Sequence, residues 1–130
     1  MTNNRMSDHA DLAGEYLAYG ESVEDGGLDN SRQWAFDEMN RLVRQDPEAA
    51  WPVIVEIVRR SVNDRMLGFV AAGPLEDLIR LHAATFIDRI EAAAKDDEQF
   101  RKAVSGAWVD ELPGDIEQRL TRVIGDGPRL

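Results

Sequence analysis

The sequence predicts an all-α fold, an irregular bundle or short α-superhelix of seven to eight short helices with no sheet. Apolar residues recur three and four positions apart along nearly the whole chain, and no segment alternates as a half-buried strand does. Capping residues, glycines and prolines divide the 130 residues into pieces of helical length. Because no sequence period recurs, we do not expect a regular repeat protein.

The first part of the chain predicts two helices separated by a loop. Asp8 is a suitable cap for a first helix that ends at Gly20. Residues 21–30 include a Gly-Gly pair and lack apolar periodicity, which is typical of a surface loop. The second helix begins at the end of this loop and runs to about Arg44.

A proline lies where the third helix is expected to continue. Asp46 caps this helix and Pro47 occupies its first position, where a proline is well tolerated. Pro52 removes a backbone hydrogen bond and crowds the carbonyl group four residues back, at a cost of about 3 kcal/mol. We therefore expect a kink, or a short turn at 47–51 followed by a helix from Pro52 to about Ser61.

The pair Gly73-Pro74 predicts a sharp corner in the centre of the chain. Proline disfavours α geometry in the residue before it, so the preceding helix is expected to end by Ala72. Pro74 then starts the next helix, which we expect to break or bend around residues 82–84. The apolar residues after the corner recur at helical spacing and predict the centre of the core: Leu78, Phe86 and Ile90.

Two further helices are predicted after this core segment. Asp96 or Asp97 caps the first of them. Pro113 starts the last helix of the chain, and Gly125 ends it.

The length and composition predict a single domain in the cytoplasm. We expect one helical domain spanning residues 1–130, with mobile ends at 1–7 and 126–130. The chain has no cysteine, which excludes disulfides and thiolate ligands and fits a reducing cytoplasm. The N-terminus lacks the apolar core of a signal peptide, and no apolar run approaches the roughly 18 residues of a membrane span, so we expect no membrane association.

The formal charge of the chain is −10, and the acidic residues are concentrated in two segments. Residues 1–30 hold seven acidic side chains against one basic one, and residues 96–117 hold seven against two. Such a surface repels phosphate backbones, so nucleic acid is not an expected partner. The simplest interpretation of both segments is solubility, and the functional alternative is a docking surface for a basic protein.

The functional alternative predicts a protein-binding module with an acidic surface, in the manner of small inhibitor or immunity proteins. Its candidate partner-binding residues are Glu24, Asp25, Asp110 and Glu111. The acidic side chains of residues 21–29 do not have the spacing of a calcium loop, and the chain lacks the common zinc and nucleotide motifs. We therefore expect no metal site and no cofactor.

A second hypothesis places an enzyme active site or ligand site in a groove beside Glu76, His82 and Arg89. A carboxylate and an imidazole could supply a general acid and base, because a histidine pKa near about 6.5 suits proton transfer at neutral pH. The spacing favours a structural interpretation instead. Glu76 and Arg80 are four residues apart on a helix, as in an ordinary surface ion pair, and a histidine near a helix end can bond a terminal carbonyl group. We therefore predict a binding protein rather than an enzyme.

Two stretches resemble a known family: AAGPLEDL at residues 71–78 and FIDRIE at residues 86–91. With the helical segments around them, from about Ala10 to Leu120, they are similar to a family of small bacterial helical proteins known as a domain of unknown function. The resemblance implies a helical fold and a bacterial origin. It brings no catalytic motif and therefore implies no catalytic residue.

Overall fold

The computed structural model describes residues 9–24, 30–107 and 109–130, and every regular element within them is helical. These residues contain no strand, which confirms the all-α class. The α-helices are α1 His9–Glu24, α2 Gln33–Gln45, α3 Pro47–Arg60, α4 Asp64–Val70, α5 Glu76–Asp96, α6 Glu98–Ser105 and α7 Gly114–Ile124. A 3₁₀ turn at Asn30–Arg32 precedes α2, and a π-helical segment at Ala71–Leu75 joins α4 to α5.

The helices form two groups around one apolar core. Helices α1, α2 and α3 pack against one another, and α5, α6 and α7 form the second group. Contacts of α3 with α6, together with α4 and the π-helical segment, join the two groups. The buried apolar side chains of both groups belong to one continuous cluster, whose largest fully buried members are Tyr16, Phe86 and Phe100.

Helix α1 does not end at Gly20, as the sequence predicts, but continues to Glu24. The ring of Phe69 in α4 lies directly against Gly20, and a Cβ atom placed there would be 2.8 Å from Cδ2 of that ring. Gly20 therefore allows α1 and α4 to approach closely. This packing outweighs the low helix propensity of glycine, which costs about 1 kcal/mol relative to alanine. The predicted loop at 21–30 is wrong at its start, and its residues 25–29 lie outside the described part of the chain.

Helix α3 is a single α-helix with Pro52 inside it, so the predicted separate turn at 47–51 is wrong. The start of α3 is as predicted: Pro47 is its first residue, and the Asp46 side chain accepts a hydrogen bond from the Ala49 amide at 3.3 Å. Four apolar side chains on one face of this helix are fully buried, namely Val53, Ile54, Ile57 and Val58. Their burial keeps the helix intact across the proline, because tertiary packing outweighs a local propensity cost of about 3 kcal/mol.

The predicted corner at Gly73-Pro74 is wrong, because the chain runs without interruption from α4 through the π-helical segment into α5. The Glu76 amide donates to the Ala71 carbonyl group, five residues earlier, as in a π-turn. Such a wider turn accommodates a proline, which lacks the N–H group and crowds the normal α geometry. Gly73 has a packing role instead, since a Cβ atom there would lie 3.0 Å from the hydroxyl oxygen of Tyr16.

The bend predicted at 82–84 is confirmed at His82, whose φ of −138° and ψ of 22° are not helical. Burial of Leu78, Phe86 and Ile90 is also confirmed, since all three have 0% exposed area. Because the corner is absent, the described residues form six continuous helices, slightly fewer than the seven to eight predicted.

The C-terminal helices begin and end close to the predicted residues. The Asp97 side chain caps α6 by accepting a hydrogen bond from the Gln99 amide at 3.0 Å. Gly125 ends α7 and has a φ of 58°, in the left-handed region that favours glycine. The residues after Gly125 return along α6. Mobility of 126–130 remains a prediction, and residues 1–7 lie outside the described part of the chain.

Candidate functional site

The three candidate catalytic side chains each have a different structural partner. Glu76 pairs with Arg80, with 3.7 Å between Oε2 and Nη1. His82 Nε2 lies 2.7 Å from the carbonyl oxygen of Val43. The Arg89 guanidinium donates to both carboxylate oxygens of Glu48, at 2.8 and 3.0 Å. These contacts do not assemble Glu76, His82 and Arg89 into a catalytic arrangement.

His82 compensates for a missing hydrogen bond at the end of α2. The Val43 carbonyl group lies in the last turn of α2, where its partner four residues on would be the amide of residue 47. That residue is Pro47, which has no N–H group to donate. The imidazole of His82 supplies the donor from α5 instead. The prediction that His82 bonds a helix-end carbonyl group is confirmed, although the helix is α2 rather than its own.

Arg89 covers the edge of the core. Its guanidinium carbon lies 4.5 Å from the centre of the Phe86 ring, a cation–π contact. Its hydrogen bonds to Glu48 connect α5 to α3 and lower the pKa of the Glu48 carboxyl group below its ordinary value. Arg89 therefore connects α5 to α3 and covers the Phe86 ring.

The partner-binding candidates Asp110 and Glu111 lie in the loop between α6 and α7. Both are exposed, whereas the neighbouring Val109 and Leu112 pack against the core on either side of them. Glu111 has a φ of 63°, the left-handed region, which costs a non-glycine residue roughly 1–2 kcal/mol. The two carboxylates are thus presented on a turn that is anchored at both ends.

Four exposed carboxylates at this end of α7 have no cationic partner among the described residues. They are Asp110, Glu111, Asp115 and Glu117, and we call them the acidic surface. Many basic side chains elsewhere, by contrast, pair with acidic ones: Arg32, Arg41, Arg59, Arg80, Arg89, Arg101, Lys102 and Arg119. The acidic surface therefore carries uncompensated negative charge.

The acidic residues between 96 and 117 do not form one continuous surface. Arg101 donates to the Ile124 carbonyl oxygen at 2.6 Å and to Glu98 at 2.8 Å, which places Glu98 at the C-terminal end of α7. Asp110 and Glu111 precede the other end, about 16 Å away along a helix of this length. Glu24 is the last residue of α1, but its side chain and Asp25 lie outside the described residues, so their position relative to the acidic surface remains a prediction.

A groove of about 420 Å³ lies between the N-terminal ends of α4 and α6. Its polar side chains already have partners within the protein. Asn63 and Asp97 cap the two helices, and Gln99 donates to the Val58 and Ser61 carbonyl groups at 2.6 and 2.8 Å. Sequence reasoning did not predict this groove, because it is built from caps that are far apart in the chain.

The described residues contain no group of three or more histidine or carboxylate side chains that could hold a metal ion. None of the helices in the same part of the chain combines the length and the apolar character needed to cross a bilayer.

Burial raises the pKa of one titratable core group, the Tyr16 phenol. That phenol lies beside the π-helical segment, where it packs on Gly73.

An ion-pair cluster connects α5 to α7. The Arg119 guanidinium donates to both oxygens of Glu91, at 2.9 and 2.6 Å, and to Asp88 at 2.5 Å. The hydrogen bond from Arg119 lowers the pKa of the Glu91 carboxyl group below its ordinary value of 4.5. The cluster fixes α7 on the core next to the acidic surface.

We expect Glu91→Gln to lower the midpoint temperature of unfolding at pH 7, and we expect this loss to shrink as the pH falls below 4.5, the ordinary pKa of glutamate. The unfolded chain binds a proton at Glu91 before the folded chain does, so the contribution of this carboxylate to stability is lost on acidification. Thermal unfolding of both proteins between pH 7 and pH 3 checks this. Glu117→Gln is the matched control, because it removes an exposed carboxylate that has no ion-pair partner in the described part of the chain. A loss that persists undiminished at pH 3 would contradict the prediction.

Comparison with known proteins gives a family but no characterised relative. A family model described as a family of unknown function, DUF6869, matches residues 22–126. No curated protein and no solved structure matches the chain. The match covers most of the helices described above and confirms the resemblance to a family of unknown function, while the role of the AAGPLEDL and FIDRIE stretches in it remains a prediction. This protein belongs to the family of unknown function DUF6869.

Proposed function

We propose that this protein is a protein-binding module whose acidic surface engages a basic partner, in the manner of small inhibitor or immunity proteins. The observation that carries the proposal is the set of four exposed carboxylates without a cationic partner among the described residues: Asp110, Glu111, Asp115 and Glu117. Like charges placed together repel one another, and attraction of a positively charged partner offsets that cost.

The anchored turn supports a binding role over simple solubility. Carboxylates that serve solubility alone can stand on any flexible surface, but Val109 and Leu112 fix the turn that carries Asp110 and Glu111. A fixed turn loses little conformational entropy when a partner docks. The left-handed backbone of Glu111 is a further cost that a glycine would avoid, and such strain is typical of functional positions.

We assign Glu24 and Asp25 to a second half of the proposed surface. Glu24 is the last residue of α1 and Asp25 follows it in the sequence, and both carry negative charge. We include them as partner-binding residues on the basis of the acidic segment at 21–29. The alternative of an enzyme that uses Glu76, His82 and Arg89 has no support among the described contacts, since each side chain has a structural partner.

The binding test uses two double variants that change the net charge equally. One carries Asp110→Ser and Glu111→Ser, and the matched control carries Asp37→Ser and Asp96→Ser. Asp37 on α2 and Asp96 at the end of α5 are exposed and have no ion-pair partner within residues 9–24, 30–107 and 109–130. Each tagged protein is used to capture partners from a lysate of the source cells. A third variant, Glu24→Ser with Asp25→Ser, tests the second half of the surface.

We expect a basic protein to be retained by the natural sequence and by the control, and lost from the Asp110→Ser, Glu111→Ser variant. Retention should weaken as salt rises from 0.1 M to 1 M, because the Debye length falls from about 10 Å to about 3 Å. Equal loss in the control would indicate attraction by net charge alone and would contradict a docking surface at Asp110 and Glu111. Retention by all variants would contradict the electrostatic proposal altogether.

A further inference from the structure

The last six residues, 125–130, fold back along α6 in a segment that we call the strap. Arg101 on α6 donates through Nη1 to the Ile124 carbonyl oxygen at 2.6 Å and through Nη2 to the Pro128 carbonyl oxygen. Further along, the Leu130 amide donates to the Ser105 hydroxyl oxygen at 3.0 Å. The strap is therefore held through its main chain at two points of α6.

Arg101 is buried because the strap covers it. Only 9% of its surface is exposed, although a guanidinium group is among the most costly groups to remove from water. Its hydrogen bonds go to Glu98 and to the two carbonyl groups of Ile124 and Pro128, while its Nε atom has no partner. The burial of this cation therefore depends on acceptors that the strap and the end of α7 provide.

Arg101, Ser105 and Gly106 form the site on α6 that holds the strap, and we call this site the seat. Its shape favours particular residues at two positions of the strap. A Cβ atom on Gly127 would lie 2.8 Å from the central carbon of the Arg101 guanidinium, so a larger residue would push this guanidinium away from its present position. The Leu130 side chain lies over Gly106, where a Cβ atom would be 2.5 Å from its Cδ1 and 3.1 Å from Cβ of Ala71. The small residues Gly106 and Ala71 thus form the surface on which the Leu130 side chain packs.

The remaining strap side chains take no part in this recognition. Asp126 and Arg129 are exposed and have no hydrogen bond or ion pair among the described residues. What the seat recognises is a glycine, the main-chain carbonyl group of the next residue, and an aliphatic side chain two residues after that. These features belong to a peptide class rather than to one sequence.

We propose that the strap is an internal peptide ligand and that its seat on α6 is a peptide-binding site. The external ligand is an extended segment of a partner protein with a glycine and, three residues later, leucine or another aliphatic residue. It displaces the strap, accepts the hydrogen bond that Arg101 donates to the Pro128 carbonyl oxygen, and donates a main-chain amide to the Ser105 hydroxyl oxygen. The strap is joined to α7 through Gly125, whose φ of 58° and ψ of −150° favour glycine, a suitable hinge for this exchange.

The test uses the full chain with Gly127→Ala, which unseats the strap and leaves Arg101 and Ser105 intact. A capped peptide with the sequence of residues 126–130, blocked at both ends, is added, and the amide signals of Ser105, Gly106 and Ala71 are followed by NMR. We expect saturable shifts with a dissociation constant of about 0.1 mM, tenfold below the roughly millimolar effective concentration that a short tether gives the strap. The natural chain should bind the same peptide about tenfold more weakly or worse, because its own strap occupies the site.

Two controls separate recognition from nonspecific binding. A peptide with Gly127→Ala should bind several-fold more weakly, because its methyl group would push the Arg101 guanidinium away from the carbonyl groups that it bonds. The full chain with Arg129→Ala keeps its strap seated and should behave as the natural chain does. Absence of saturable shifts in the folded Gly127→Ala chain, or equal binding of both peptides, would overturn the proposal. Unfolding of the Gly127→Ala chain would also overturn it, since a segment required for folding cannot be exchanged.

Discussion

We expect Phe86→Ala to lower the free energy of unfolding by about 3–5 kcal/mol, the cost of truncating a fully buried phenylalanine. Phe86 has no exposed surface, and its ring lies 5.8 Å from the Trp51 ring of α3. Arg89 covers the ring from the outside, so the cation–π contact is lost together with the apolar burial. The ring lies between Trp51 of α3 and the His82 and Arg89 side chains of α5, so its removal leaves a space between two helices.

Denaturant unfolding monitored by circular dichroism measures this effect. Thr85→Ala, next to Phe86 on the exposed side of α5, is the matched control and should change the free energy of unfolding by less than about 0.5 kcal/mol. A loss under about 1 kcal/mol for Phe86→Ala would place the centre of the core elsewhere. An equal loss for Thr85→Ala would indicate that the helix itself, not the buried ring, is sensitive.

Local signals account for the parts of the fold that could be predicted from the sequence. Asp46 and Asp97 cap their helices through side-chain hydrogen bonds, and Gly125 ends α7. Capping chemistry acts within three residues, so a sequence displays it completely. The burial of Leu78, Phe86 and Ile90 follows in the same way from helical periodicity.

The wrong predictions all concern glycine or proline in the interior of a helix. Gly20 and Gly73 have packing roles against Phe69 and Tyr16, side chains that lie far away in the chain. Pro74 is accommodated by a π-turn. A glycine that ends a helix and a glycine that admits a neighbouring ring have the same sequence signature, and tertiary packing decides between them.

The sequence predicts which side chains of the candidate site are exposed, but it does not predict most of the contacts that these side chains make with distant parts of the chain. The exposure of Asp110 and Glu111 follows from their polar loop, and the Glu76–Arg80 pair follows from its four-residue spacing. The partners of His82 and Arg89 do not follow from spacing. The His82 contact joins α5 to the end of α2, and the Glu48 contact joins α5 to α3. The strap seat on Arg101 depends in the same way on a contact with residues near the end of the chain, which no local pattern encodes.

We expect Pro52→Ala to raise the free energy of unfolding by about 2 kcal/mol. A proline inside a helix costs about 3 kcal/mol relative to alanine, so its replacement stabilises the folded protein. The unfolded chain with alanine has more conformational entropy, which reduces this stabilisation by roughly 0.4–1 kcal/mol. Pro52 lies in the interior of α3, where it denies the Glu48 carbonyl group the amide partner expected four residues on. Alanine restores this hydrogen bond without changing the buried face of the helix, which is formed by Val53, Ile54, Ile57 and Val58.

The same substitution at Pro47 should have the opposite sign. Pro47 is the first residue of α3, where a missing N–H group costs nothing and a fixed φ helps, so Pro47→Ala should lower the free energy of unfolding by roughly 0.4–1 kcal/mol. Denaturant unfolding of the two variants gives both values under identical conditions. The new amide of Pro47→Ala can reach the Val43 carbonyl group, which His82 bonds in the natural chain. A stabilisation by Pro47→Ala would mean that this hydrogen bond contributes more free energy than the lost restriction of the unfolded chain. A loss of stability in Pro52→Ala would mean that the proline ring packs in a way that outweighs the missing hydrogen bond.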